Sequence, residues 1–178
     1  MYKSKVYLIR ENEKNPIALE ESGYISEDSL QELIERFPDL IPGDQIDPED
    51  PRRWLLVARE MGVPGDADES DRWSLDHLLL DQDGIPTFVE CKRASDTRIR
   101  REVVAQMLDY AANGVEYWDL DRIRQSAAET AQRDKKSLDE EVAHLLGEDS
   151  DPERIDEYWR GVAANLKDRR IRLVFVSD

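Results

Sequence analysis

Two carboxylates and an ammonium group converge on what the sequence presents as a hairpin. Trp73 to Asp81 and Ile85 to Lys92 are apolar runs of strand length around Gln82-Asp83-Gly84, with Gly84 where a left-handed residue is most needed. A three-residue loop sets Asp81 against Ile85, so facing residues sum to 166 and Asp76 lies opposite Glu90. Directly opposed residues of an antiparallel pair share a face, with Cβ atoms about 5 Å apart. Lys92 is two residues beyond Glu90 and projects to that face as well. A loop of two or four residues would make the sum 167 and set Asp76 against Cys91. Facing carboxylates repel, and a sheet has no structural reason to put them there. A divalent cation between them reverses the sign of the interaction, and hard oxygen donors select Mg²⁺, Mn²⁺ or Ca²⁺. The chemistry that suits such a trio is cation-assisted hydrolysis, with a lysine to stabilise developing charge.

The elements that must position these groups are legible around them. Val6 to Ile9 and Ile17 to Leu19 read as a short strand pair. Ser26 offers an N-cap, Glu27 and Asp28 suit the first turn, and Leu30, Leu33, Ile34 and Phe37 form an apolar stripe that Pro38 ends. Residues 38–52 read as a surface loop, Trp54 to Met61 as a strand, and Gly62 to Asp71 as an acidic loop. Leu78-Leu79-Leu80 predicts a strand covered on both faces. Ser95-Asp96-Thr97 caps a helix that buries Val103, Val104, Met107, Leu108 and Ala111, closed by Asn113-Gly114. Residues 119–166 predict a helical insertion rather than a separate domain, with Leu138, Val142, Leu145 and Leu146 as its apolar positions. Ile171 to Val176 is a last strand. The order predicts an α/β fold with a mixed sheet. The chain stops at Asp178, just after a strand, so further C-terminal sequence is expected.

Length and composition set the outer bounds. The chain has 178 residues, a net charge of −16 and 39% apolar residues grouped in ordered runs, which predicts one folded domain. No apolar stretch approaches the roughly 20 residues of a membrane span. Met1-Tyr2-Lys3-Ser4-Lys5 does not open a signal peptide, so a cytoplasmic location is expected. A lone Cys91 excludes an internal disulfide, and two histidines, His77 and His144, argue against zinc. His77 is expected to make a packed polar contact on the strand face opposite Asp76.

Asp76, followed by Glu90-Cys91-Lys92 after an apolar strand, resembles the signature of the PD-(D/E)XK nuclease superfamily. Gln106 and Tyr110 on the next helix resemble the QxxxY motif of its RecB-type branch, and the order and spacing are similar to the catalytic domain of mismatch-type endonucleases. The capped helix carrying Glu27 resembles that family's first helix. The resemblance covers residues 24–118 and the closing strand at 171–176; Leu75, rather than proline, precedes Asp76. It implies a restriction-endonuclease-like core, with 1–23 as an N-terminal strand pair, and a Mg²⁺- or Mn²⁺-dependent deoxyribonuclease. Asp76 and Glu90 would hold the metal, helped by the Cys91 backbone carbonyl and by Glu27. Lys92 would orient water and stabilise charge, with Gln106 and Tyr110 positioning Lys92 or the phosphate.

The charge distribution bears on the partner. Residues 11–90 carry −16, whereas residues 91–102 carry +3. Arg93, Arg98, Arg100 and Arg101 in that basic stretch are the expected DNA phosphate contacts. Tyr117 and Trp118 stand at a helix end, where aromatics more often belong to the core than stack on bases. The acidic remainder allows two alternatives: a basic partner or missing C-terminal domain recruits DNA, or the chain is a catalytically silent binding module on a nuclease fold.

Overall fold

The computed structural model describes residues 6–10, 15–20, 26–64, 71–93, 99–147 and 151–177. Two short strands, β1 (Val6–Leu8) and β2 (Ile17–Leu19), form an antiparallel ribbon as expected. Helix α1 (Glu27–Arg36) starts at Ser26, whose hydroxyl accepts the Ser29 N–H at 3.1 Å. A 3₁₀ turn (Pro38–Leu40) and the short α2 (Gly43–Ile46) follow. The stretch read as a surface loop is therefore partly ordered helix. Its end is also pinned inward, because Arg52 is buried and pairs with Asp47 at 2.9 Å and Asp50 at 3.0 Å.

Strands β3 (Leu55–Pro64), β4 (Asp71–Leu80), β5 (Pro86–Lys92) and β6 (Arg172–Ser177) form one sheet in the order β3-β4-β5-β6. The first three are antiparallel, and β6 lies parallel to β5. The fold is thus α/β with a mixed four-stranded sheet flanked by helices. Between β5 and β6 run α3 (Ile99–Tyr117), α4 (Leu120–Arg133), α5 (Leu138–Leu146) and α6 (Pro152–Lys167). Apolar side chains of α4 to α6, among them Ile123, Val142, Leu145, Trp159 and Val162, enter the same cluster as Leu78, Leu80 and Phe88. Leu30, Ile34 and Ile41 cover the opposite face, against Leu79, Val89 and Cys91. Consecutive leucines on β4 therefore do face two cores. The edge strand β3 does not lie open: Thr130 of α4 donates to the Val57 carbonyl at 2.7 Å, and the Trp118 indole donates to that of Gly62 at 2.9 Å.

Helix α3 departs from the expectation in two ways. It runs through Asn113-Gly114 to Tyr117. Gly114 serves close packing instead of termination, since a Cβ there would stand 3.1 Å from Phe88 and from Trp118. The buried face is Val103, Met107, Tyr110 and Ala111, while Val104 and Leu108 are 47% and 57% exposed. Apolar residues occur around most of this helix, so periodicity alone did not choose the inner side. Trp118 packs on Phe88 with ring centroids 5.3 Å apart, which makes it core. The Ser95-Asp96-Thr97 cap lies outside the described residues.

The β4–β5 turn is the most heavily anchored feature. Gly84 has φ +70°, and a Cβ on it would come within 2.9 Å of Val162. The fully buried Asp81 accepts the Asp83 and Ile85 N–H groups on Oδ1, at 3.0 and 2.9 Å. Its Oδ2 lies 3.0 Å from Arg172 on β6. Tyr158 donates to the Asp81 carbonyl and Asn165 to those of Asp83 and Gly84. Removing one member of a buried ion pair strands the other charge. Arg52 Nη1, 3.9 Å from Asp81 Oδ2, remains as a weaker partner, so Arg172→Met should lower unfolding free energy by about 2 kcal/mol in urea titrations. Asp81→Asn in the same chain keeps Oδ1 and removes the stranded charge, so it should recover part of the loss. A single-variant cost below about 1 kcal/mol would show that Arg172 does not compensate Asp81.

Candidate active site

The hairpin register matches the derived one, with His77↔Val89, Leu78↔Phe88, Leu79↔Thr87 and Leu80↔Pro86 as partners. Regular pairing stops one step before Asp76 and Glu90. There the Asp76 carboxylate replaces a backbone acceptor and takes the Cys91 N–H at 2.8 Å. Asp76 is half-buried on β4, while Glu90 on β5 is only 2% exposed.

Burial, and then the neighbouring Asp76 charge, push the Glu90 carboxyl up to about 7, against the opposing pull of Lys92. Its Oε1 lies 3.1 Å from Lys92 Nζ, and its Oε2 has no hydrogen-bond partner. A buried, orphaned carboxylate oxygen is costly unless something else satisfies it. Burial also raises Asp76, but less, because the Cys91 N–H, Lys92 and the Gln31 amide favour its charged form.

Lys92 reaches two acids, Glu90 and, at 3.4 Å, Glu27 Oε2 in the first turn of α1. Burial alone would lower its pKa, but Glu90, Asp76 and Glu27 hold it above the ordinary lysine value. These acids favour its ammonium form, a donor and a positive charge. The Cys91 thiol, fully buried beside Asp76 and Glu90, is pushed up to about 12 by burial first, which removes thiolate chemistry. On α3 the Gln106 amide donates to the Tyr110 hydroxyl. Burial raises Tyr110, and the charges of Glu90 and Asp76 act on it in the same direction, so the tyrosine lies within their electrostatic reach.

Asp76, Glu90, Lys92, Glu27, Gln106 and Tyr110 are therefore brought together from β4, β5, α1 and α3. Arg93 is exposed where β5 ends. Arg98 and the side chains of Arg100 and Arg101 lie outside the described part. His77 behaves as expected: fully buried, it donates from Nε2 to the Gln31 carbonyl at 2.9 Å, and burial drives its pKa down to about 4. Two residues were not anticipated, Gln31 on α1 and Arg59 on β3, whose Nη2 donates to Gln31 Oε1 at 3.3 Å. A signal was present, since Gln31 stands one turn after Glu27 on the same helix face.

Among the described residues, no group of three or more His, Cys, Asp or Glu side chains forms a ready-made metal cage. The oxygen donors that fit a hard cation are the orphaned Glu90 Oε2 and the Asp76 carboxylate. A cavity of about 530 Å³ lined by Glu35, Trp54, Thr130, Glu140 and His144, among others, contains none of the site residues. Among the described residues, no helix is long and apolar enough to cross a membrane. No family model, no curated protein and no solved structure matches the chain.

The Glu90 environment has a pH signature. A carboxyl raised from 4.5 to about 7 on folding contributes stability that is present below pH 4.5 and lost as pH rises through 7. Without metal, Glu90→Gln should match the parent near pH 4.5 and exceed it by about 3 kcal/mol at pH 8, with Asp76, Lys92 and Glu27 unchanged around the site. Urea denaturation in EDTA across that range reads the difference. An equal gap at both ends would mean that Glu90 titrates as an ordinary carboxylate.

Proposed function

We propose that this chain is a metal-dependent nuclease domain of the PD-(D/E)XK type, RecB-like branch, that hydrolyses phosphodiester bonds in DNA. The single observation that carries the reading is Glu90: buried, raised to about 7, orphaned at Oε2, and set beside Asp76 and the ammonium of Lys92. A sheet built only for stability would have an apolar residue at that position. The four-stranded mixed sheet, with the site at the end of its hairpin and a helix on each face, agrees with a restriction-endonuclease-like core.

Asp76, Glu90 and the Cys91 carbonyl, with Glu27 at their margin, would hold Mg²⁺ or Mn²⁺. Such an ion, when bound, polarises the phosphate and acidifies water. Lys92 supplies a fixed positive charge for a phosphate oxygen in the transition state, and its link to Glu90 holds it on the site side of β5. The Gln106–Tyr110 pair presents polar groups, with the tyrosine in electrostatic reach of the carboxylates, to orient a phosphate or Lys92. Arg93, with Arg98, Arg100 and Arg101 next in sequence, supplies cations for the DNA backbone.

A second reading, a silent binding module, is favoured by the net charge of −16 and by the engagement of Lys92 with two acids. Cleavage of labelled single- and double-stranded DNA in millimolar Mg²⁺ or Mn²⁺ separates the two. Glu90→Ala and Lys92→Ala should each lose at least about 100-fold in rate. Full activity in both would overturn the nuclease reading. In calorimetric titration, Mn²⁺ affinity should rise about tenfold per pH unit below pH 7, because a proton leaves Glu90 when metal binds. No Mn²⁺ binding by the folded protein would favour the silent module.

A further inference from the structure

Arg59 on β3 and His77 on β4 are paired across the two strands, and both reach onto α1. His77 Nε2 donates to the Gln31 carbonyl at 2.9 Å. Arg59 makes three contacts along the helix. Its Nη1 donates to Glu35 Oε2 at 3.1 Å, and its Nη2 donates to Gln31 Oε1 at 3.3 Å and to Asp28. Asp28, Gln31 and Glu35 stand at i, i+3 and i+7, so one guanidinium spans two turns of a single helix face. The Arg59 side chain is only 19% exposed, so this is no loose surface pair: a mostly buried guanidinium depends on the acceptors it has.

Helix α1 covers the sheet face of Leu79, Val89 and Cys91, whereas Glu90 and Lys92 alternate with those residues toward the other face. Glu27 opens α1 and Lys92 ends β5, so the two meet at the rim of the sheet, with Oε2 3.4 Å from Nζ. A contact at a rim depends on where the helix lies along its own axis. A slide of one residue is about 1.5 Å, enough to break it. Leu30 and Ile34, the two buried side chains of α1, choose which side faces the sheet, but apolar burial is non-directional. The directional bonds from the sheet to the middle of α1 are those of Arg59 and His77. From this geometry we infer that Arg59, two strands away from Lys92, is a positioning residue that acts through α1 to set Glu27 against Lys92. The inference rests on the nuclease reading of the site. There, the Lys92 ammonium is held by Glu90 of β5 and Glu27 of α1, so its orientation depends on how α1 is placed.

Two readouts on the full chain test this, well below the melting temperature and with fold checked by near-UV circular dichroism. The first is independent of activity. A carbodiimide joins an amine to a carboxylate in contact, so peptide mass spectrometry reads the Glu27–Lys92 contact as a cross-link, with Glu27→Gln as the blank. Arg59→Met should lower the yield of that link several-fold. The second is DNA cleavage in Mg²⁺. Arg59→Met should lower kcat about tenfold or more and leave KM unchanged. Added to Glu27→Gln, it should lower kcat no further, because both changes remove the same contact. Thr130→Val, which removes a side-chain bond to β3 from α4, is the control. It should lower the melting temperature and leave both the cross-link and kcat unchanged. Should Arg59→Met not fold, Asp28→Ala and Glu35→Ala remove its acceptors one at a time and carry the same readouts. An unchanged cross-link in folded Arg59→Met, or kcat losses that multiply in the double variant, would overturn the positioning role alone. A parent that cuts no DNA would overturn the nuclease reading, and the cross-link would then decide by itself whether Arg59 places Glu27.

Discussion

A one-residue slip between β4 and β5 would exchange the faces of every side chain on β5. Glu90 and Lys92 would leave the pocket beside Asp76, and Cys91 would take their place. What prevents this is the three-residue turn with Gly84 at φ +70°, tied down by Asp81, Tyr158 and Asn165. Arg172 connects that turn to β6, the last strand, so the far end of the chain helps to hold the register on which the site depends. One end of the hairpin is anchored and the other carries the candidate site. Each end holds a buried acid with one oxygen that has no hydrogen-bond partner, but Asp81 Oδ2 lies 3.0 Å from Arg172, whereas the free oxygen of Glu90 lies away from its contact with Lys92.

Two buried titratable groups at the candidate-site end act on stability with opposite signs. His77, driven down to about 4, contributes stability that is full above pH 6.5 and lost as pH falls toward 4. Glu90, raised to about 7, contributes stability that is lost as pH rises from 4.5 to 7. Their windows overlap between pH 4.5 and 6.5, where each partly cancels the other. A flat stability profile of the parent in that range therefore conceals strain on both sides of the sheet.

The site was more legible in the sequence than the helices around it. A tight turn and alternation along two strands fix facing residues by local rules, so Asp76, Glu90 and Lys92 followed from counting. The covering of both faces of β4 followed from Leu78-Leu79-Leu80 for the same reason. On α3, Val104 and Leu108 are as apolar as Val103 and Met107, and only the sheet decides which pair is buried. Gly114 reads locally as a stop signal, yet within a continuing helix it lets the aromatic rings of Phe88 and Trp118 pack tightly against the backbone. Gln31 and Arg59 are separated by 28 positions, and no short-range pattern links an amide on a helix to a guanidinium on an edge strand. Long-range polar pairing of this kind depends on how α1 is set down on the sheet, which sequence periodicity does not contain.

The strongly acidic composition is less of an obstacle to the proposed chemistry than the net charge suggests. At physiological ionic strength, fields from exposed charges fade over about 8 Å, so acids far from the site contribute little at a phosphate held near Lys92. The cations beside the candidate site among the described residues are the Lys92 ammonium and Arg93, next to it at the end of β5. The acids that do lie at close range, Glu90, Asp76 and Glu27, are the groups a divalent cation would turn from repulsive to attractive. Affinity for DNA in such a site would therefore depend on metal more steeply than in a basic nuclease. Without a cation, the same carboxylates would repel a phosphate, and Lys92, held between Glu90 and Glu27, is already engaged. Under the proposed reading, metal binding and release of Lys92 toward phosphate would be coupled through the same carboxylates, which would tie substrate affinity to metal occupancy.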